Sequence, residues 1–267
     1  MAVLSIKKNI GLVLGGGGAR GFFHVGVIKA IQELGIKIDK ITGTSIGAII
    51  GTIYAANPQI DLEKLVSELD YLKMLKTSAF GTGKSSTRGI EPLLKSFIPV
   101  TDFSQLKIPF SFNTTDINQK EEVIFNQGDL FPGLLAAISI PGVFPPVKIG
   151  ERYLIDGGVI NNLPVPLIKD TNNIIVSDIT GPIKKIDNNA SAPDVLYSSV
   201  AFMQLRIGQE EIKKLKNQKI TYLNLADNDI FILDFRKRNY QKLIDLGYQA
   251  MMDSHFTKQT ALNISIS

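Results

Sequence analysis

The sequence predicts an α/β protein, a three-layer α/β/α sandwich with a largely parallel central sheet. Three observations lead there. Short apolar runs alternate with amphipathic segments along the chain, the order that β-α-β crossovers require. The first apolar run, Ile10 to Leu14, passes directly into Gly15-Gly16-Gly17-Gly18-Ala19-Arg20-Gly21 and then into a helical pattern. A second passage of the same kind places Gly43-Thr44-Ser45-Ile46-Gly47 between an apolar run and a helix. In such a fold the functional site lies at the carboxyl ends of the strands.

Each element has its own reason. Ile10 to Leu14 is a continuous apolar run, as expected of a strand covered on both faces. Phe22 to Leu34 is a helix whose Phe23, Val27, Ala30, Ile31 and Leu34 share one face, with Gly35 at its end. Lys40 to Thr42 reads as the second strand and Ser45 to Ala56 as the next helix, stopped by Asn57-Pro58. Asp61 caps a helix to Leu75, with the stripe Leu62, Leu65, Val66, Leu69 and Leu72. Further helices fit Glu91 to Phe97, Leu130 to Ile138, Asp194 to Lys216 and Tyr240 to Asp253. Strands fit Ile108 to Thr115, Glu122 to Phe125, a hairpin over Val147 to Leu154, Asn173 to Ser177 and Ile220 to Leu225. Thr77 to Gly89 and Thr180 to Pro193 are polar stretches that read as connectors or as lids. With 267 residues, 44% of them hydrophobic, and no repeat or low-complexity tract, the chain 1–267 is expected to form one domain.

Three local patterns carry chemistry. A G-x-S-x-G pentapeptide on a strand-to-helix turn exposes its serine, and Gly43 and Gly47 keep the neighbouring backbone free of side chains. Ser45 then sits at the positive end of the helix that follows, which favours an ionising hydroxyl and a developing oxyanion. The glycines from Gly15 to Gly18 leave backbone N–H groups unshielded, so the loop can bind an anion or an oxyanion. Asp156-Gly157-Gly158 follows the short apolar segment Arg152 to Ile155, placing a carboxylate at a strand end where it can face a pocket.

Taken in this order, the patterns resemble the patatin-like phospholipase family. Gly16-Gly17-Gly18-Ala19-Arg20-Gly21 is similar to its glycine motif, Gly43 to Gly47 to its serine motif, and Asp156-Gly157-Gly158 to its D-G-[AG] motif. Asn113 to Asp116, Gly128 to Leu130, Ser139 to Pro146 and Asn161 to Pro164 also resemble the bacterial members. The likeness covers about residues 10–170, with 171–267 expected to complete the same domain. It implies a serine acyl hydrolase with a two-residue centre: Ser45 as nucleophile, Asp156 as general base, and the N–H groups of Gly16, Gly17 and Gly18 as oxyanion hole. Gly21, Gly43, Gly47 and Gly157 would support these motifs. Arg20 has two readings, steering a phosphate head group or pinning the glycine loop through backbone carbonyls or a carboxylate.

Composition narrows the alternatives. The chain has no cysteine, hence no disulfide, thiolate metal site or thiol redox chemistry. Its two histidines, His24 and His255, are too few for a histidine-rich metal site, so a metal-free mechanism without cofactor is expected. Gly16-x-Gly18-x-x-Gly21 also spells a dinucleotide-binding fingerprint, with Asp39 as ribose ligand, but that Asp should end the second strand, and with the Gly43-Thr44-Ser45 turn opening so soon after it the strand must instead run on into the elbow. An α/β-hydrolase triad of Ser45, Asp156 and His255 fits the chain order, but too few residues precede the elbow for the strands that fold requires. His24, inside the first helix, reads as structural.

The uncharged 20-residue stretch Ile41 to Ile60 has the length of a membrane span, but its glycines, hydroxyls and Asn57-Pro58 suit an elbow and a buried helix. Prolines break the uncharged run Phe131 to Val147, so no transmembrane segment is expected. Lys7 and Lys8 before a short apolar run do not amount to a secretory signal, leaving a cytoplasmic or membrane-peripheral location, with signal-independent export open. The expected partner is a lipid substrate at a membrane or micelle surface, phospholipid or lysophospholipid by resemblance. The net charge of +4 suits an anionic surface, with Lys213, Lys214, Lys216 and Lys219, or Arg236, Lys237 and Arg238, as contacts or simply as solvated faces. No nucleic-acid motif accompanies these clusters.

Overall fold

The computed structural model of the chain describes residues 9–68, 87–181, 186–225, 230, 232 and 234–254. In order, its elements are β1 (Ile10–Leu14), α1 (Phe22–Glu33), β2 (Lys40–Thr44), α2 (Ile46–Ala56), α3 (Leu62–Glu68), α4 (Glu91–Phe97), β3 (Phe110–Asp116), β4 (Glu121–Phe125) and α5 (Leu130–Ala137). The order continues with β5 (Val147–Ile149), β6 (Arg152–Asp156), β7 (Asn173–Asp178), α6 (Ala192–Lys213), β8 (Lys219–Asn224) and α7 (Tyr240–Met252).

One eight-stranded sheet organises these elements in the order β5-β6-β3-β2-β1-β7-β8, with β4 on the other edge of β3. From β8 through β7, β1 and β2 to β3 the neighbours are parallel; β4, β5 and β6 are antiparallel additions. Helices flank the sheet, as the alternation predicts. Strand residues divide between its faces in strict alternation. Leu12, Leu14, Ile41, Phe112 and Ile175 join a core with Phe23, Ile28 and Ile31 of α1, Ile50 of α2 and Leu243 of α7. Val13, Ile174 and Val176 face the other way, onto Leu163, Val165 and Ile168, with Ile212 of α6 at the edge.

Boundaries move where caps or pairing decide them. β2 runs two residues beyond Thr42, because β3 continues to offer hydrogen bonds as far as Thr44. α6 begins at Ala192 because Ser191 and Asp194 form a capping box around Pro193. Of the helix expected to reach Leu75, residues after Glu68 lie outside the described residues, as does the candidate lid up to Ser86.

β3 matters most for the site. Its one edge is shared by two strands placed end to end: parallel β2, with Thr44 beside Asn113, and antiparallel β6, with Asp156 beside Thr114. Asn113 and Thr114 are consecutive, so the carboxyl ends of β2 and β6 abut. The residue after β2 and the last residue of β6 are thereby driven together.

Candidate active site

Ser45 occupies that junction with φ 55° and ψ −123°, a backbone conformation that L-residues avoid and that costs on the order of 1–3 kcal/mol. The surroundings leave it no alternative. A Cβ on Gly43 would lie 2.4 Å from the Gly47 carbonyl oxygen, and one on Gly47 would lie 2.2 Å from the Leu14 carbonyl oxygen. Helix α2 therefore starts in direct backbone contact with the end of β1, and its N-terminus opens at Ser45.

The Ser45 hydroxyl donates to Asp156 Oδ2 at 2.5 Å, with no ring between them. Asp156 Oδ1 accepts the Gly158 N–H at 2.8 Å, while the Asp156 N–H is held by the Ser139 carbonyl at 3.0 Å. Both carboxylate oxygens are thus oriented. Asp156 is buried, and burial pushes its pKa up to about 6, against the opposing pull of the Ser45 and Gly158 hydrogen bonds. A carboxylate poised there is ionised at neutral pH yet basic enough to take a proton. If it is the base, kcat/KM should rise with pH along a limb centred near 6; a pH–rate profile flat from 5 to 7 would remove it from that role.

The glycine loop crosses above the serine. The Gly16 N–H, expected among the oxyanion donors, is instead committed to the Asn162 carbonyl at 3.0 Å. Gly17 and Gly18 line the same cleft as Ser45. Gly18 has φ 56°, and a Cβ on it would lie 2.1 Å from the Ile232 carbonyl oxygen, so only glycine fits. Asn162 fixes the loop a second time, donating from Nδ2 to the Gly16 carbonyl at 3.0 Å and to Thr180 Oγ1 at 3.1 Å.

Arg20 is buried at the border of the cleft, and its bonds run to backbone carbonyls. Its Nε donates to the Ile230 carbonyl at 2.9 Å and its Nη1 to the Thr180 carbonyl, tying the loop to segments that follow β7 and β8. Gly21 packs against Ile46, where a Cβ would lie 2.5 Å from Cγ1, and Gly157 against the Asn113 carbonyl oxygen at 2.5 Å. Beneath the site, Asn113 accepts from Thr44 Oγ1 at 2.7 Å and donates to the Asn161 carbonyl and to Glu122, each at 2.8 Å.

His24 is fully buried between Ser177 Oγ at 2.7 Å and the Gly15 carbonyl at 2.9 Å. Burial lowers its pKa to about 4, so it is a neutral bridge beneath the glycine loop. His255 lies outside the described residues. Asp39 sits before β2, at the opposite end of the strand from Ser45, with Oδ2 accepting the Ile10 N–H at 2.9 Å. It cannot meet a ribose at the glycine loop, and the dinucleotide reading fails on that geometry. No group of metal-ligating side chains occurs among the described residues.

Helix α6 contributes a wall that no motif announced. Tyr197, Val200 and Gln204 line the cleft over Ser45, and Gln204 Nε2 donates to the Gly158 carbonyl at 2.9 Å. An apolar residue every third or fourth position was the available signal, and it reads as ordinary core packing.

A strained serine in direct contact with a buried carboxylate, on a parallel sheet with the glycine loop at its switch point, places this chain among the serine-centred α/β folds. The family model for patatin-like phospholipase matches residues 12–168, and the chain belongs to that family. An uncharacterized NTE family protein of Mycobacterium tuberculosis is 31% identical over 197 residues, which are 70% of this chain and 55% of that protein. Lysophospholipase NTE1 of Eremothecium gossypii is 37% identical over 276 aligned positions, covering 90% of this chain but only 18% of the relative. The chain therefore spans about half or less of the length of these curated relatives. The crystal structure of VipD from Legionella pneumophila shares the fold, with TM-score 0.52 at 14% identity, over 92% of this chain and 66% of that one.

Proposed function

We propose that the protein hydrolyses fatty-acyl esters of phospholipids or lysophospholipids, with Ser45 as nucleophile and Asp156 as its base. The observation that carries this reading is the 2.5 Å contact between Ser45 Oγ and Asp156 Oδ2, in a cleft that the glycine loop also lines. Asp156 takes the hydroxyl proton as Oγ bonds to the ester carbonyl carbon. The carbonyl oxygen becomes an oxyanion held by the Gly17 and Gly18 N–H groups. When the bond to the alcohol breaks, Asp156 returns the proton to the leaving oxygen. Water then gives its proton to Asp156, its oxygen attacks the acyl carbon, and Ser45 leaves reprotonated with release of the fatty acid. Membership of a phospholipase family and the lysophospholipase name of the fungal relatives support the substrate class.

Residues 171–267 belong to the same catalytic domain on this reading, because α6 walls the cleft and the segment after β8 holds Arg20. The lipid surface is met by an apolar rim. Leu196, Phe202 and Met203 of α6 are 67%, 54% and 54% exposed, and Ile117 and Val159 stand exposed across the cleft. The basic clusters are poorer candidates, since Lys213, Lys214 and Arg236 are paired with Glu210, Glu211 and Asp234. No helix among the described residues is long and apolar enough to cross a membrane.

One experiment tests the reading. Wild-type protein should release fatty acid from phospholipid or lysophospholipid vesicles and be labelled by a fluorophosphonate, and Ser45→Ala should do neither. Release from neutral vesicles should stay comparable with release from anionic ones. Equal labelling of Ser45→Ala would sink the assignment of the nucleophile, and release confined to anionic vesicles would return the contact to the basic clusters.

A further inference from the structure

Two separate hollows meet at Ser45. One is the open cleft already described, of about 440 Å³, with polar groups of Asp156, Asn162, Tyr197 and Gln204 on its walls. The other, of about 90 Å³, runs between α2, α3 and α4 and is almost wholly apolar. Among the described residues, only Gly18, Ser45 and Ile140 border both. Protein interiors are close-packed, with few voids larger than a water molecule, so an apolar hollow ending on a reactive hydroxyl is not a packing accident.

Its walls have a direction. Ile46, Ile49, Ile50 and Ile53 lie at the i, i+3, i+4, i+7 positions of α2 and all face the hollow, opposite Leu62 and Leu94. The stripe begins beside the nucleophile and leads away from it. Helical rise is about 1.5 Å per residue, so Ile53 lies about 12 Å from Ser45 along the axis. An extended chain gains about 1.2 Å per bond, by the same geometry that gives a stretched backbone about 3.6 Å per residue, so that depth is about ten bonds. The volume gives a similar limit. One water-sized group needs about 10–15 Å³ on this measure, so the hollow takes about six to nine.

Building on the hydrolase reading, we infer that the apolar hollow between α2, α3 and α4 is the acyl-chain site, that it takes the carboxyl-proximal six to ten carbons of the chain, and that the alcohol half of the ester lies in the open cleft. The ester carbonyl is then threaded through the neck between Gly18 and Ile140, which sets its oxygen against the glycine loop. Ile53 and Leu62 limit the chain length accommodated.

The test is a series of p-nitrophenyl esters from acetate to palmitate. In the wild type kcat/KM should rise about fourfold per added methylene until about eight carbons, then level off as further methylenes gain no burial. Ile53→Phe, which fills the far end, should lower kcat/KM for decanoate at least about tenfold while acetate hydrolysis stays within about twofold. Leu62→Ala, which lengthens the hollow and so works in the opposite direction, should move the plateau to longer chains. A wild-type profile flat from acetate to decanoate, or one plateau shared by all three proteins, overturns the assignment of the hollow while leaving the hydrolase intact. A wild type that cleaves none of the esters overturns the hydrolase reading itself, and the acyl site with it.

Discussion

Asp156→Asn should lower kcat/KM by about 10²–10⁴, the contribution of a general base, while leaving the protein folded and more stable at alkaline pH. The carboxamide keeps the shape: Oδ1 can still accept from Gly158, and Nδ2 can donate to Ser45 Oγ, but no atom can take the serine proton. The stability half follows from the same buried group. Asp156 has a folded pKa of about 6 against the ordinary 3.8, so between those values the folded state holds a proton that the unfolded chain has lost. Stability therefore falls as pH rises through that window and stays reduced above it. About two pKa units correspond to about 3 kcal/mol. Denaturant melts should show the variant gaining on the wild type at pH 8 and matching it near pH 4. His255→Gln should stay within about tenfold of wild-type activity. An inactive but folded His255→Gln would replace the two-residue centre by a triad, and a fully active Asp156→Asn would remove Asp156 from either arrangement.

Gly47→Ala should abolish fluorophosphonate labelling and cost about 3 kcal/mol or more, at the upper end of overpacking effects. The added Cβ would lie 2.2 Å from the Leu14 carbonyl oxygen and 2.9 Å from that of Gly15. Both are backbone atoms at the end of β1, so relief requires α2 to move away from the sheet, carrying Ser45 off Asp156. Gly35→Ala is the control. Gly35 has φ 63° and nothing within 4 Å of its Cβ position, so it should lose only the roughly 1–2 kcal/mol of a left-handed alanine and keep full labelling. Two variants of equal stability and reactivity would show that the close approach of α2 to β1 is not what shapes the elbow.

The sheet's layout and the positions of Ser45 and Asp156 were legible because their signals are local: an apolar run, glycines where backbone must touch backbone, a carboxylate at a strand end. Arg20 has two roles open to it in the sequence, which does not say where a side chain turns. The structure turns it inward, onto the carbonyls of Ile230 and Thr180. Glycines in a run look alike, so nothing in the sequence separates Gly16 from its neighbours. Which N–H is already bonded depends on the Asn162 carbonyl, almost 150 residues away. The cleft wall from α6 and the acyl hollow escaped for a related reason. Tyr197 and Gln204, or the isoleucines of α2, carry no motif, and their role arises only when distant elements enclose a space.

The end-to-end meeting of β2 and β6 along β3 has a consequence for the unfinished chain. Ser45 and Asp156 are 111 residues apart, and nothing local brings them together. A chain that has paired only β1, β2 and β3 already contains the elbow, but it lacks the Asp156 contact, and the edge of β3 beyond Asn113 is still bare. Contacts of such long range form late, after the loop-closure entropy has been overcome. On the proposed mechanism, reactivity would be withheld until β6 docks beside β2, so a partly folded molecule would be chemically silent towards esters, and turnover would report that this junction has closed.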